Sequence, residues 1–291
     1  MSEISEQAEG RLDNLENIEP LLGSLRVLSL STMQMALNRK EHLLAYKNEY
    51  YRILFQVIST LSKKERTTVL PSKADSSQAV LVILGSERGI CGPYNKNLIT
   101  MAQSWQAQQS KTYQILSFGT RLESLLKQSF LETDFKGSIS KGSFPQYQKA
   151  HALINGWLAD LKAGKLSSVE VLSFRKPPNA FYKPIISKLL PISEGLESLP
   201  GFEPEWPPPI VEGDPLPIIR QTLEHLAAIK FYELILESIT AENAIRYNLL
   251  EEAKENTRAL IETLTIEIQI QKRQAITQQI LEMASSAGLT A

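Results

Sequence analysis

The sequence predicts an α/β domain inserted between two long helices that pair as an antiparallel coiled coil. Three observations predict it. After Pro217 neither proline nor glycine occurs until Gly288, and apolar residues recur at mixed three- and four-residue steps: Ile219, Leu223, Leu226, Ile235, Ala241, Ile245, Leu249, Ala253, Leu260, Leu264 and Ile268. A second stripe of the same kind runs near the N-terminus, and between the two lie short β-branched runs of different composition. The three-to-four spacing is that of a helix with one apolar seam. At 1.5 Å per residue, a helix from about 218 onward is a rod of roughly 100 Å. Something outside a globular core must cover its stripe.

The N-terminal helix is expected from about Pro20, a residue suited to a first turn, to about Ser62, with residues before 18 polar and frayed. Its stripe is Leu22, Leu25, Met33, Ala36, Leu43, Leu44, Tyr50, Leu54, Val57, Ile58 and Leu61. Gly23 weakens it by roughly 1 kcal/mol against alanine. Neither end helix finds enough cover in the middle of the chain, so each is the natural partner of the other.

The middle reads as alternating strands and helices. AVLVILG, 79–85, is a strand buried on both faces, and the turn region SERGICGPYNKN leads to a helix over 95–108. TYQILSF, 112–118, is a second strand, followed by a helix over 120–129 and weak strand signals over 131–140. A helix over 145–162 and strands over 169–174 and 185–192 complete the set. Alternation of this kind implies a largely parallel sheet. Residues 193–217, rich in proline, form a connection in which Asp214-Pro215 caps the approach to the last helix. The division is therefore 1–64 for the first helix, 65–192 for the α/β domain, 193–217 for the connection and 218–291 for the last helix.

Composition narrows the function. A net charge of −1 over 291 residues argues against a nucleic-acid binder held by phosphate contacts. The single Cys91 permits no internal disulfide and fits a reducing compartment. No run approaches a membrane span, and the acidic start resembles neither a secretory signal nor a transit peptide.

Catalytic readings are weak. SERGICG follows the first strand, where open α/β sheets often bind phosphates, but it lacks both the G-x-G-x-x-G spacing and the G-K-[ST] ending of a P-loop. Its glycines serve a tight turn. Cys91 near Arg88 could be read as a nucleophile, against the simpler reading of a small packed residue. His42, His151 and His225 fall in separate helices without ligand spacing and read as surface or packing residues. No catalytic residue, metal or cofactor is expected. The far end of the last helix is the anomaly. KRQAITQQIL, 272–281, followed by Met283, carries Ile276, Ile280 and Leu281 toward water unless a partner's cavity receives it.

These residues resemble the gamma subunit of F-type ATP synthases, the rotor of the central stalk. SERGICGPYNKNL, 86–98, is similar to the family's S-D-R-G-L-C-G-x-x-N-x-N-L, with Glu87 for the aspartate. EGDP, 212–215, resembles the E-x-D-P that opens the family's C-terminal helix, and Glu242, Ala244, Arg246, Ala253 and Asn256 match its E-x-A-x-R…A-x-x-N spacing. Arg273-Gln274 and Ile276-Thr277 resemble R-Q-x-x-I-T. The resemblance implies an antiparallel coiled coil with an inserted Rossmann-like domain. It further implies a tip turning inside a hexamer of alpha and beta subunits, and a base on the c ring beside epsilon, peripheral to the cytoplasmic face of a bacterial plasma or thylakoid membrane. Leu25, Arg26, Lys272, Arg273, Gln274, Ile276, Thr277, Ile280, Leu281 and Met283 would meet the hexamer, and Trp206 and Glu212 the c ring and epsilon.

The chain departs from the pattern in two places. Only Ala275 separates Arg-Gln from Ile-Thr, where the family has two residues. One deleted residue turns the polar pair by about 100° on a helix, so either Lys272 and Arg273 take over the polar positions or a local bulge absorbs the slip. The segment EPLLGSLRVLSLS, 19–31, keeps Arg26 as its only basic residue where the family is rich in lysine and arginine. A less electrostatic torque contact is expected, as in a divergent branch, a sodium-type enzyme, or a gamma-like paralogue that acts as a coiled-coil assembly protein. The short 193–215 connection leaves no room for the cysteine-bearing regulatory insertion of photosynthetic forms, so no thiol switch is expected.

Overall fold

A computed structural model describes residues 3–61, 78–109, 112–128, 133–138, 144–177, 181–192 and 210–286. Its elements are helix α1 (Glu3–Ser59), strand β1 (Gln78–Leu84), helix α2 (Tyr94–Ala107), strand β2 (Thr112–Phe118) and helix α3 (Thr120–Leu126). Strand β3 (Asp134–Phe135), helix α4 (Tyr147–Lys162), strands β4 (Ser168–Arg175) and β5 (Lys183–Leu190) and helix α5 (Pro215–Ser286) follow. The chain divides into two compact units, Met1–Ser31 with Arg246–Ala291, and Thr32–Ile245. No described helix is long and apolar enough to cross a membrane.

The larger unit holds a five-stranded sheet in the order β3-β2-β1-β4-β5. The β1, β2, β3 and β4 pairings are parallel, as alternation predicts, but β5 runs antiparallel to β4. The exception has a simple cause. Only residues 176–182 separate β4 from β5, and a parallel crossover needs a dozen or more residues, usually helical. Helices α2 and α3 cover one sheet face through Leu98, Ala102, Leu122 and Leu126. Helix α4 and the lower part of α5 cover the other through Ile154, Trp157, Ala227, Ala228 and Phe231. A third cluster, built on Leu54, Val57, Leu61, Ile219 and Leu226, joins the end of α1 to the start of α5. Each fully buried large side chain contributes about 2 kcal/mol.

Ion pairs bind the elements of this unit further. Lys47 Nζ lies 2.8 Å from Glu233. Glu237, only 13% exposed, accepts from Lys40 Nζ at 2.5 Å and from Arg175 Nε at 2.6 Å, linking α1, α5 and β4 through one carboxylate. Lys230 Nζ donates to the Lys188 carbonyl of β5.

The smaller unit is a helix pair. Residue numbers fall on α5 as they rise on α1, from Arg26–Glu251 through Glu19–Arg258 to Glu9–Lys272, so the two helices are antiparallel. Leu12, Leu15, Glu19, Leu22, Arg26 and Ser29 form the inward seam of α1, at alternating three- and four-residue steps. On α5 the matching seam runs through Leu250, Ala253, Thr257, Ile261, Leu264 and Ile268. Leu25 and Leu260, expected on these seams, are instead 40% and 52% exposed. The helix expected from Pro20 begins at Glu3 instead, and Pro20 lies inside it. The expectation of a frayed start fails because ion pairs from Glu9 and Glu19 to α5 hold this segment. Pro20 is exposed, so its missing N–H falls on the solvent side, and its carbonyl accepts from Ser24 Oγ at 3.0 Å.

Candidate functional site

The turn after β1 is built for rigidity. A Cβ on Gly85 would stand 2.3 Å from Leu122 Cβ, and Gly119 has φ +111 with its own Cβ position 2.7 Å from the Gly85 carbonyl. Only glycine lets β1 and α3 approach so closely. Ser86 N donates to Asn95 Oδ1 at 3.0 Å, Asn95 Nδ2 donates to Ser86 Oγ at 2.8 Å, and Cys91 Sγ lies 3.4 Å from Ser86 Oγ. All three side chains are buried. Ile90 (φ 58) and Gly92 (φ 53) complete the reversal, and Tyr94 Oη meets Ser238 Oγ of α5 at 2.7 Å. The motif therefore closes a turn and ties it to α5. Cys91 is a packed residue 5% exposed, not a presented nucleophile.

The start of α5 is capped as the sequence suggests. Leu216 N donates to Asp214 Oδ1 at 3.0 Å, Gly213 takes φ +89, and Pro215 and Pro217 occupy the first turn, where their missing donors cost nothing. Glu212 is exposed beside this cap. Trp206 lies outside the described residues.

In the smaller unit ion pairs join a largely apolar seam, and some apolar side chains face outward. Arg26 turns inward, bonds Glu251 and lies 5.7 Å from the Tyr247 ring centroid. The hydrogen bond to the Glu251 carboxylate holds its pKa above the ordinary arginine value. Glu19 faces Lys254 at 3.8 Å and Arg258 at 2.8 Å. Apolar side chains point out: Ile18, Leu21, Leu25 and Leu28 on α1, and Ile266 and Ile270 on α5, are each at least 40% exposed. The first four repeat at heptad spacing, a signal present in the sequence but hidden by a richer stripe on the neighbouring face.

At the end of α5 the expected residues line one exposed segment. Ile276, Ile280 and Met283 follow at helical steps of four and three and are 56%, 56% and 63% exposed, with Leu281 at 62%. Thr277 Oγ1 bonds the Arg273 carbonyl at 2.9 Å, and Arg273 and Gln274 are exposed. Lys272 differs, since its Nζ lies 2.9 Å from Glu9 of α1. Helix α5 is uninterrupted through this stretch, so no bulge absorbs the missing residue.

Comparison with known proteins decides what this arrangement belongs to. A profile of the ATP synthase family, ATP-synt, matches residues 5–288. The chain belongs to the ATP synthase family. Curated relatives include the ATP synthase gamma chains of Parabacteroides distasonis, 23% identical with 96% of each chain covered, and of Nostoc punctiforme, 24% identical with 95% of this chain and 96% of that one covered. Among solved structures, a chain of the Euglena gracilis mitochondrial ATP synthase, in a cryo-EM structure of OSCP, F1 and c-ring, matches at TM-score 0.63 and 14% identity. That match covers 99% of this chain and 96% of that one. A chain of the Tetrahymena thermophila central stalk and c-ring structure matches at TM-score 0.55 and 18% identity over 80% of this chain and 99% of that one. Fold and family agree on a central-stalk, gamma-type subunit of an ATP synthase complex, peripheral to the membrane.

Proposed function

We propose that the chain is the rotor of an F-type ATP synthase and couples ion-driven rotation of a c ring to ATP synthesis or hydrolysis on a ring of alpha and beta subunits. The observation that carries this reading is the run of exposed apolar side chains on the helix pair. Arg26 and Glu19 interrupt its otherwise largely apolar seam with ion pairs, while Ile18, Leu21, Leu25, Leu28, Ile266, Ile270, Ile276, Ile280, Leu281 and Met283 face outward. Such a surface is stable in water only when a partner encloses it.

Apolar contact is non-directional, so a sleeve around this surface lets the helices turn with little orientational preference. Arg273, Gln274 and Thr277 supply polar contacts to the hexamer, with Lys272 shared between Glu9 and the partner. Leu25 extends the apolar contact along α1, whereas Arg26 acts by fixing the helix pair. An asymmetric rotor that stabilises one nucleotide state at each beta subunit must in turn be oriented by nucleotide binding, because coupling free energies are reciprocal. The α/β domain at 65–192 and the 193–217 connection, with Trp206 and Glu212, sit toward the c ring and epsilon. The assembly lies on the cytoplasmic face of a bacterial plasma or thylakoid membrane, and the chain itself performs no chemistry.

The test is complementation of a gamma deletion with the full-length chain, followed by purification from membranes. Restored ATP synthesis, with the chain recovered in an alpha–beta assembly, is the expected result. Recovery as a free monomer with no restored synthesis overturns the reading.

A further inference from the structure

Two histidines that rotation does not use meet within the larger unit. The imidazoles of His151 on α4 and His225 on α5 stack with centroids 5.1 Å apart and planes 27° from parallel. Tyr50 of α1 packs on His225 at 5.1 Å, and Tyr147 lies 6.0 Å from His151. Tyr46 extends the row, with its ring centroid 5.1 Å from that of Tyr50 and its Oη 3.4 Å from Tyr50 Oη. Rings from three helices therefore converge where α4, the cover of one sheet face, meets α1 and α5.

The charged and titratable groups around the pair do little to offset a charge on each ring. Tyr46 and Tyr50 face it from α1, Tyr147 and Lys162 stand on α4, and Glu224 on α5. The Tyr50 phenol is pushed up to about 12, first by its hydrogen bond with Tyr46 and then by burial. Burial pushes Tyr147 up to about 12 as well. Both phenols stay neutral wherever histidine titrates. Glu224 is taken by Lys162 Nζ at 2.7 Å, and Asn155 Nδ2, 3.3 Å from His151 Nδ1, brings no charge. Burial, and then His151, hold the His225 pKa below its ordinary value against the smaller opposing pull of Glu224. A charge on each ring places like charges about 5 Å apart, opposed only in part by Glu224, which Lys162 engages.

We propose that the His151–His225 stack is a pH-sensitive latch that holds α4 against α1 and α5 while at most one ring is charged and releases it when both are. This goes beyond the rotor reading and stands or falls independently of it. Acidification then loosens α4 from α1 and α5 within the larger unit before the sheet unfolds. The sign follows from linkage. His225 binds its proton less readily when folded, so the contact is at full strength above the unfolded pKa of about 6.5 and weakens as pH falls through and below it.

The test is amide hydrogen exchange on the full-length chain at about pH 7.5 and about pH 5.5, corrected for intrinsic rates, across the range where histidine charges. Protection of α4, Tyr147–Lys162, is compared with that of β1. The expected result is a loss of about tenfold in α4 relative to β1 on acidification, the equivalent of one pKa unit. His225→Phe, and separately His151→Asn, keep a side chain in place but remove one of the two protons, and are expected to abolish the differential loss. Native protection of β1 at neutral pH verifies that each variant folds. An α4 whose protection tracks β1 across the range overturns the latch, as does a wild-type loss that persists undiminished in both variants.

Discussion

Glu237 is the side chain on which the larger unit most depends for its polar cohesion. Its carboxylate is 13% exposed and receives Lys40 Nζ at 2.5 Å and Arg175 Nε at 2.6 Å, while those cations remain 28% and 38% exposed. Glu237→Gln keeps the volume and removes the charge, leaving two cations aimed at one neutral amide. Breaking a fully buried pair from one side costs about 3–5 kcal/mol, whereas exposed pairs contribute about 0–1 kcal/mol. The carboxylate belongs to the first case, but solvent screens both cations, so the loss is about 2 kcal/mol. Lys40→Ala and Arg175→Ala each cost about 1 kcal/mol, and a double-mutant cycle between Glu237 and Lys40 returns a coupling of similar size. Urea unfolding followed by tryptophan fluorescence reads this unit specifically, because Trp105, Trp157 and Trp206 all fall within Thr32–Ile245. With a slope of about 2–3 kcal/mol/M, the midpoint should drop by about 0.7–1 M. A shift below about 0.2 M, on a slope of that size, refutes the assignment of Glu237 as the node. So does a Glu237→Leu variant more stable than the wild type, since desolvation would then outweigh attraction.

Other substitutions separate steric, hydrogen-bond and partner effects. Gly85→Ala drives a Cβ to 2.3 Å from Leu122 and should cost about 1–3 kcal/mol in the same assay, whereas Gly156→Ala, with nothing within 4 Å, should gain about 0.5–1 kcal/mol of helix propensity. Asn95→Ala removes the partner of Ser86 N and one of the two partners of Ser86 Oγ in a buried turn and should cost about 2 kcal/mol, measured as a lower urea midpoint. Ile280→Ser with Leu281→Ser should leave thermal unfolding by circular dichroism within about 0.5 kcal/mol of wild type yet weaken binding to an alpha–beta hexamer about tenfold or more, read by co-elution. Arg26→Ala should lower the stability of the helix pair more than Leu25→Ala does, and Leu25→Ala should weaken hexamer binding more, since one side chain faces α5 and the other faces out.

The elements that packing alone dictates were legible in the sequence. Continuous β-branched runs gave β1 and β4, and the unbroken stretch after Pro217 gave α5. The parallel order followed from alternation, and β5 broke it because periodicity carries no information about strand direction when no helix intervenes. The start of α1 was hidden for a different reason. Proline is judged by local propensity, about 3 kcal/mol against a helix interior, yet Glu9 and Glu19 on the same segment are held by partners far away in the chain. At the candidate site, the exposed tip residues were legible because they lie beyond the last ion pair to α1. Arg26 was not, since a lone arginine reads as a contact for a partner until its carboxylate, Glu251, is seen to lie opposite it.

That inward placement explains how the helix pair holds its register while presenting an apolar exterior. A seam of leucines alone tolerates slips of one heptad, because each repeat offers the next the same surface. Arg26, Glu19 and Glu9 remove that freedom, since a slip by seven residues separates each from Glu251, Arg258 or Lys272 and leaves partly desolvated charges unpaired. The exposed apolar side chains have a complementary reason. A surface that turns against a partner benefits from contacts that do not select one angle, whereas ion pairs would hold it in a few discrete positions. Polar groups thus stand where one geometry must persist, and apolar groups where many orientations must be nearly equivalent. Exchanging the two, by making Arg26 leucine and Leu25 arginine, should weaken register and rotation together, although the composition of the helix would not change at all.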